Sequence, residues 1–282
     1  MTAADSARLV TLAAIWGASF LFMRIAAPVL GPALTAELRT LIAGIALAVY
    51  FAVTGFDPAY RRWRRQYVIV GILSSALPFL LWAYAALSLT AGLLSVLNAT
   101  APMFGAVCSA LLLRERLNAR RVVGLVVGVA GVAVLMQPDG GGALHYPSIA
   151  AALAASFSYG LIATYIKGWA KDVPSRGMAA GSQLAAGILL IPFIALWPPP
   201  AAPTPGAVAS ILALGLICTA LAYLLYFRLI ADIGATGALT VTYLVPVFGV
   251  LWGVLFLGES VSAAMLAGAA LVIVGTLLVL RN

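Results

Sequence analysis

The sequence predicts an all-α integral membrane protein, with ten transmembrane helices as two inverted five-helix repeats around a central cavity and both termini cytoplasmic. Three observations carry this expectation. First, apolar stretches of roughly twenty residues recur along all 282 positions, about the length a helix needs to cross a hydrocarbon core of ~30 Å. Hydrophobic residues make up 64% and charged residues 9%, with mean hydropathy +1.11, whereas a soluble domain carries about a quarter charged. Second, Lys and Arg fall in alternate connections only. Third, the chain matches itself, half against half.

The first span (9–27) follows Arg8 and carries Trp16 and Ser19. It has the look of a signal peptide, but Arg24 interrupts its far end and no small-residue cleavage site follows, so a permanent helix is expected. Gly31-Pro32 turns the chain into the second span (33–54), which opens with Glu37 and Arg39. Asp57-Pro58 and four arginines (Arg61, Arg62, Arg64, Arg65) precede the third span (66–88). There Ser75, Phe79 and Trp82 fall at i, i+4 and i+7, one face of a helix, with Pro78 among them. The fourth span (91–113) holds Asn98 and Pro102. A lone amide is costly in hydrocarbon unless it bonds another helix or a ligand. Arg114, Arg116, Arg120 and Arg121 lead into the fifth (120–137), whose Gly124 and Gly128 form a small-xxx-small pair.

After the turn at Pro138-Asp139-Gly140, the sixth span (146–167) carries Tyr159 and ends at Lys167. The seventh (176–196) has Gln183 at mid-span, and Pro198-Pro199-Pro200 closes it. The eighth (207–230) places Thr219, Tyr223 and Tyr226 at the spacing of Ser75, Phe79 and Trp82. The ninth (236–257) holds Thr242, Tyr243, Pro246 and a second glycine pair, Gly249 and Gly253; the tenth is 262–280. Mid-span prolines free a backbone carbonyl, which in lipid must find a partner or face a wet cavity, so Pro78, Pro102 and Pro246 are candidate bends or gates.

The connections at 27–33, 88–91, 137–146, 196–207 and 257–262 contain no Lys or Arg, while the others hold them all apart from Arg8, Arg24, Arg39 and Arg281. The positive-inside rule then puts both termini in the cytoplasm. This scatter over membrane-edge loops also accounts for the net charge of +8 and argues against nucleic-acid binding. Cys108 and Cys218 lie inside spans and read as packing residues.

An offset of 144 residues carries Gly71 onto Gly215, Pro102 onto Pro246, Phe104-Gly105 onto Phe248-Gly249, Glu115 onto Glu259, Gly124 onto Gly268 and Gly131 onto Gly275. A shift of 143 carries Trp16-Gly17 onto Tyr159-Gly160, Arg24 onto Lys167 and Gly44 onto Gly187. The repeats are thus 1–137 and 146–282, and five spans per copy make the second enter the membrane upside down. A carrier that presents one site to both sides gains from this symmetry. A scaffold does not.

Trp16-Gly17-Ala18-Ser19-Phe20, Arg39, and the doubled series Pro102, Glu115, Gly124, Gly131 and Pro246, Glu259, Gly268, Gly275 resemble the EamA-type members of the drug/metabolite transporter superfamily. The second copy departs in having Ser182 where the first has Arg39. The resemblance implies a multi-pass carrier of the bacterial inner membrane moving small metabolites outward, and is greatest with exporters of amino acids, aromatic ones included. Export of drugs or other amphiphiles, and flipping of lipid head groups, remain alternatives. An integral membrane enzyme is disfavoured: the chain has one histidine and none of the usual nucleophile, zinc or phosphate-loop motifs.

The candidate substrate-binding residues are therefore Trp16, Ser19, Ser75, Phe79, Trp82, Asn98, Tyr159, Gln183, Thr219, Tyr223, Tyr226, Thr242 and Tyr243. Hydroxyls and amides suit an amino-acid head group, and aromatic faces suit its side chain and ammonium. No metal or cofactor is expected, and the partners are the substrate and the bilayer, with a monomer or a homodimer. Glu37 and Arg39 are placed near the outer start of their span, paired with each other or with Arg24. With no ionisable group at mid-depth, facilitated export without proton coupling is expected.

Overall fold

A computed structural model describes residues 2–136 and 145–280; the Pro138-Asp139-Gly140 turn and Arg281 lie outside the described residues. All regular structure among the described residues is helical. The helices are α1 (Ala3–Val53), α2 (Tyr60–Ala85), α3 (Ala91–Leu112), α4 (Ala119–Leu135), α5 (Tyr146–Trp169), α6 (Ser175–Leu196), α7 (Pro205–Gly234), α8 (Val241–Leu257) and α9 (Ala263–Leu280). Seven of them are long and apolar enough to cross a membrane, while α4 and α8 have 17 residues each.

The 51 residues of α1 do not run straight. Gly31 sits at φ 77°, ψ 159°, a conformation essentially restricted to glycine, and Pro32 follows it. An unbroken helix would hold residues 23 and 39 about 24 Å apart. Instead Arg39 Nη1 lies 3.7 Å from Met23 Sδ, so the limbs 3–30 and 32–53 fold back on each other about Gly31. Gly234 repeats the device at φ 77°, ψ 165°, at the end of α7. The sequence reading anticipated the first turn from Gly31-Pro32; the second carries no proline.

Two of the three breaks inside the helices lie beside a proline. In α2 a π-helical turn, Ile72–Ala76, precedes Pro78, which occupies the first turn of the α-helix resuming at Leu77. There the missing N–H costs little. Ser158 Oγ donates to the Leu73 carbonyl in this turn (2.7 Å). A longer π segment, Ala213–Leu221, occupies the related part of α7, where Thr219 Oγ1 donates to Leu214 O (2.8 Å). α3 breaks at Ala99–Thr100 and restarts at Ala101 with Pro102 in its first turn; Ser156 Oγ and Thr100 Oγ1 both donate to Leu97 O at the break. Pro246 stays within a continuous α8.

Glycines set the close approaches, and these occur in reciprocal sets. A Cβ on Gly124 would meet Gly275 O at 2.7 Å, and one on Gly131 would meet Gly268 O at 2.9 Å. As α4 ascends α9 descends, so the two pack antiparallel, backbone to backbone. Under the sequence offset this contact maps onto itself. The two shifts together, 143 for the opening spans of each copy and 144 for the rest, carry the approach of Gly17 to Gly249 (2.9 Å to its N) onto that of Gly160 to Gly105 (2.5 Å). They likewise carry Gly44 against Leu184 onto Gly187 against Leu41, and Gly71 against Ser182 O onto Gly215 against Arg39 O. The Gly124–Gly128 face is thus covered within the chain by α9, with Met103 filling the space over Gly128.

Candidate functional site

A cavity of about 580 Å³ lies between the two halves, with walls from α1, α2, α3, α5, α7 and α8. Trp16 and Ser19 come from the first limb of α1, Phe79 and Trp82 from α2, Asn98 and Pro102 from α3 and Tyr159 from α5. Thr219, Tyr223 and Tyr226 come from α7 and Thr242 from the start of α8. The aromatic residues of both stripes, with Thr219, therefore border one space. Their π turns matter here, because an extra residue per turn re-aims the side chains that follow.

Aromatic packing fixes the walls. Trp16 and Tyr226 lie with ring centroids 5.3 Å apart, Phe20 meets Trp82 edge-on at 5.4 Å, and Tyr223 stacks on Phe227 at 6.1 Å. Behind the wall, Gln183 Nε2 donates to Ser75 Oγ (2.9 Å) and to Tyr223 Oη (3.4 Å). Gln183 and Ser75 are both fully buried and do not line the cavity, so they act on it through Tyr223. Among the described residues the Gln183 Oε1 atom has no hydrogen-bond partner. Tyr243, Pro78 and Pro246 stand outside the lining; Pro246 O instead accepts from Ser95 Oγ (3.5 Å), between α8 and α3.

The expectation about charge needs correction. Arg39 is 6% exposed and lines the cavity, eight residues beyond the turn at Gly31 and so about 12 Å below it. Its Nε donates to Thr219 Oγ1 (3.0 Å) and its guanidinium carbon sits 3.7 Å over the Phe79 ring. It pairs with neither Glu37 nor Arg24. Glu37 is also buried, so the premise of an ionisable-free interior does not hold. The repeat could not reveal this, because position 182 is serine.

Two ion pairs bracket the space, and the offset carries one onto the other. Arg24 Nε faces Glu259 Oε1 at 3.6 Å, and the Glu259 carboxylate also accepts from the backbone N–H of Ala91 (2.8 Å) and Gly92, capping α3. Arg24 Nη1 donates to Ala86 O (2.8 Å). This pair is largely buried and lies off the cavity. Lys167 and Glu115 form the related pair, with the Lys167 side chain 60% exposed, and both line the cavity's far end beside Ser109 and Thr164. The space therefore runs from buried Arg39 to the exposed Lys167 edge.

The model of the EamA-like transporter family matches this sequence twice, over residues 8–137 and 147–281. An uncharacterized transporter of Bacillus subtilis, YvbV, is 27% identical over 274 residues, 96% of this chain and 90% of its own length. A protein of Streptantibioticus cattleyicolor named as a probable terminal-alkyne amino-acid exporter is 26% identical, covering 97% of this chain and 92% of its own. Protein PecM of Dickeya dadantii is 26% identical over 92% of this chain. One solved crystal structure, described only as that of a protein, shares the fold with a TM-score of 0.66 at 21% identity, over 99% of this chain and 96% of its own.

Proposed function

Because this chain belongs to the EamA-like transporter family, we propose that it exports small metabolites, foremost amino acids including aromatic ones, across the bacterial inner membrane by alternating access. The observation that carries this is the cavity: its walls come from both copies of the family unit, and it ends in a buried polar site. The name of the Streptantibioticus relative points to the same substrate class.

Ten crossings are the reading that fits the breaks. Gly31 divides α1 into two limbs, and α4 and α8 are close to span length. The antiparallel α4–α9 contact supports an inverted arrangement, because a two-fold axis that maps antiparallel helices onto each other lies across them, in the plane of the membrane. With Lys and Arg connections inside, the Lys167–Glu115 end of the cavity faces the cytoplasm and the Arg24–Glu259 pair closes the outside. This is the state that loads an exporter.

The test is counterflow in proteoliposomes preloaded with unlabelled substrate. Labelled phenylalanine or another amino acid should accumulate, and Trp16→Ala should lower its rate about ten-fold, the scale of one aromatic contact with its buried area. Accumulation of dyes or lipid analogues and of no amino acid would move the assignment to drug export or flipping. A several-fold acceleration by an imposed proton gradient would establish coupling.

A further inference from the structure

The geometry points to Arg39 as the receptor for a substrate carboxylate, which makes the transported class small carboxylates and zwitterions and excludes simple amines. This deepens the reading above and rests on the cavity being the substrate's path.

A guanidinium has five N–H donors. Arg39 spends one on Thr219 Oγ1 and directs another at Met23 Sδ, a weak acceptor; its Nη2 has no hydrogen-bond partner among the described residues. Phe79 covers one face of the group, so the free donors radiate in the plane, along the edge a carboxylate engages. Among the described residues no acid answers this charge. Asp5 and Asp232 are held by Arg8, Glu259 by Arg24 and Glu115 by Lys167. Glu37, two residues along the helix, projects from another side and does not line the cavity. Asp57 and Asp172 lie in the connections between helices.

An uncompensated cation at this depth is costly, and an arriving anion recovers that cost. One guanidinium, with Lys167 held by Glu115 at the cavity's far end, suits a singly charged group; a phosphate dianion needs more donors than Arg39 has left. Ser182 at the related position means one such receptor per molecule. The aromatic faces of Trp16 and Tyr226 then receive the ammonium or side chain of the same ligand.

Thermal stability of the purified full-length protein, in detergent, tests this directly with matched probes: phenylalanine and 3-phenylpropionate against phenylalaninamide and phenethylamine. The acids should stabilise the wild type at concentrations about ten-fold or more below their amide or amine counterparts, which lack the carboxylate, the scale of a charge-assisted hydrogen bond. Arg39→Gln should abolish that preference, and Arg39→Lys should retain it at weaker affinity, because the charge stays and the fork is lost. Equal stabilisation by acids and amides, no stabilisation by any probe, or an acid preference that survives in Arg39→Gln would each overturn the assignment. If Arg39→Gln does not fold, the acid–amide comparison on the wild type decides alone. Counterflow separates the two readings. Acid preference without amino-acid transport sinks only the export assignment, and transport with indifference to the carboxylate sinks only this one.

Discussion

Tyr223 is held by its stack on Phe227 and by the Gln183 amide, while its other side borders the cavity. Gln183→Leu removes a buried amide whose Oε1 is unpaired and leaves Ser75 still bonded to Ser74 (3.0 Å). Its effect on melting temperature should therefore be small, since trading a half-satisfied amide for a hydrocarbon of like volume is near neutral, about ±1 kcal/mol. Transport should fall several-fold as Tyr223 loses its tether. A large loss of stability with transport per folded molecule unchanged would reverse the assignment of roles. The sequence spoke clearly about such residues where they recur at helical spacing under the offset, as with Phe79 and Tyr223. It misplaced Arg39, setting it near the start of its span and in an ion pair. Counted from the Gly31 turn, which has no loop, Arg39 is eight residues and so about 12 Å into its limb, whereas a span drawn from 33 leaves it nearer the end.

Among the helices, the two glycine turns and the two π segments do what loops do elsewhere. Gly31→Ala forces a side chain into a backbone conformation it avoids and should lower stability by about 1–3 kcal/mol, read as a drop in thermal midpoint. An unchanged midpoint would mean the turn relaxes to another conformation. The π segments left no mark in the sequence, because Ile72–Ala76 has ordinary helix composition and only Pro78 flags its end. The capping of α3 by Glu259 was equally hidden, as its partners lie 168 and 167 positions away. Glu259→Gln weakens both the cap and the Arg24 pair. With Cys108 and Cys218 replaced by serine, a cysteine at buried Leu89 should then react several-fold faster with an impermeant maleimide added outside. Unchanged labelling would remove this pair from the closure.

At the level of the whole molecule, the duplication was legible because glycine, proline and glutamate cannot align by shared greasiness. The contacts that duplication creates were not, since an offset relates positions without saying which ones touch. Gly124→Leu drives a side chain into the Gly275 carbonyl, a contact with no slack, and should abolish monodisperse protein on size exclusion. A well-folded Gly124→Leu protein would show that α4 and α9 can separate freely. The contacts named at that seam lie within α4 and α9, one helix from each half. Two fragments, 1–137 and 146–282, expressed together from separate start codons, should find each other in the bilayer and restore activity by complementation.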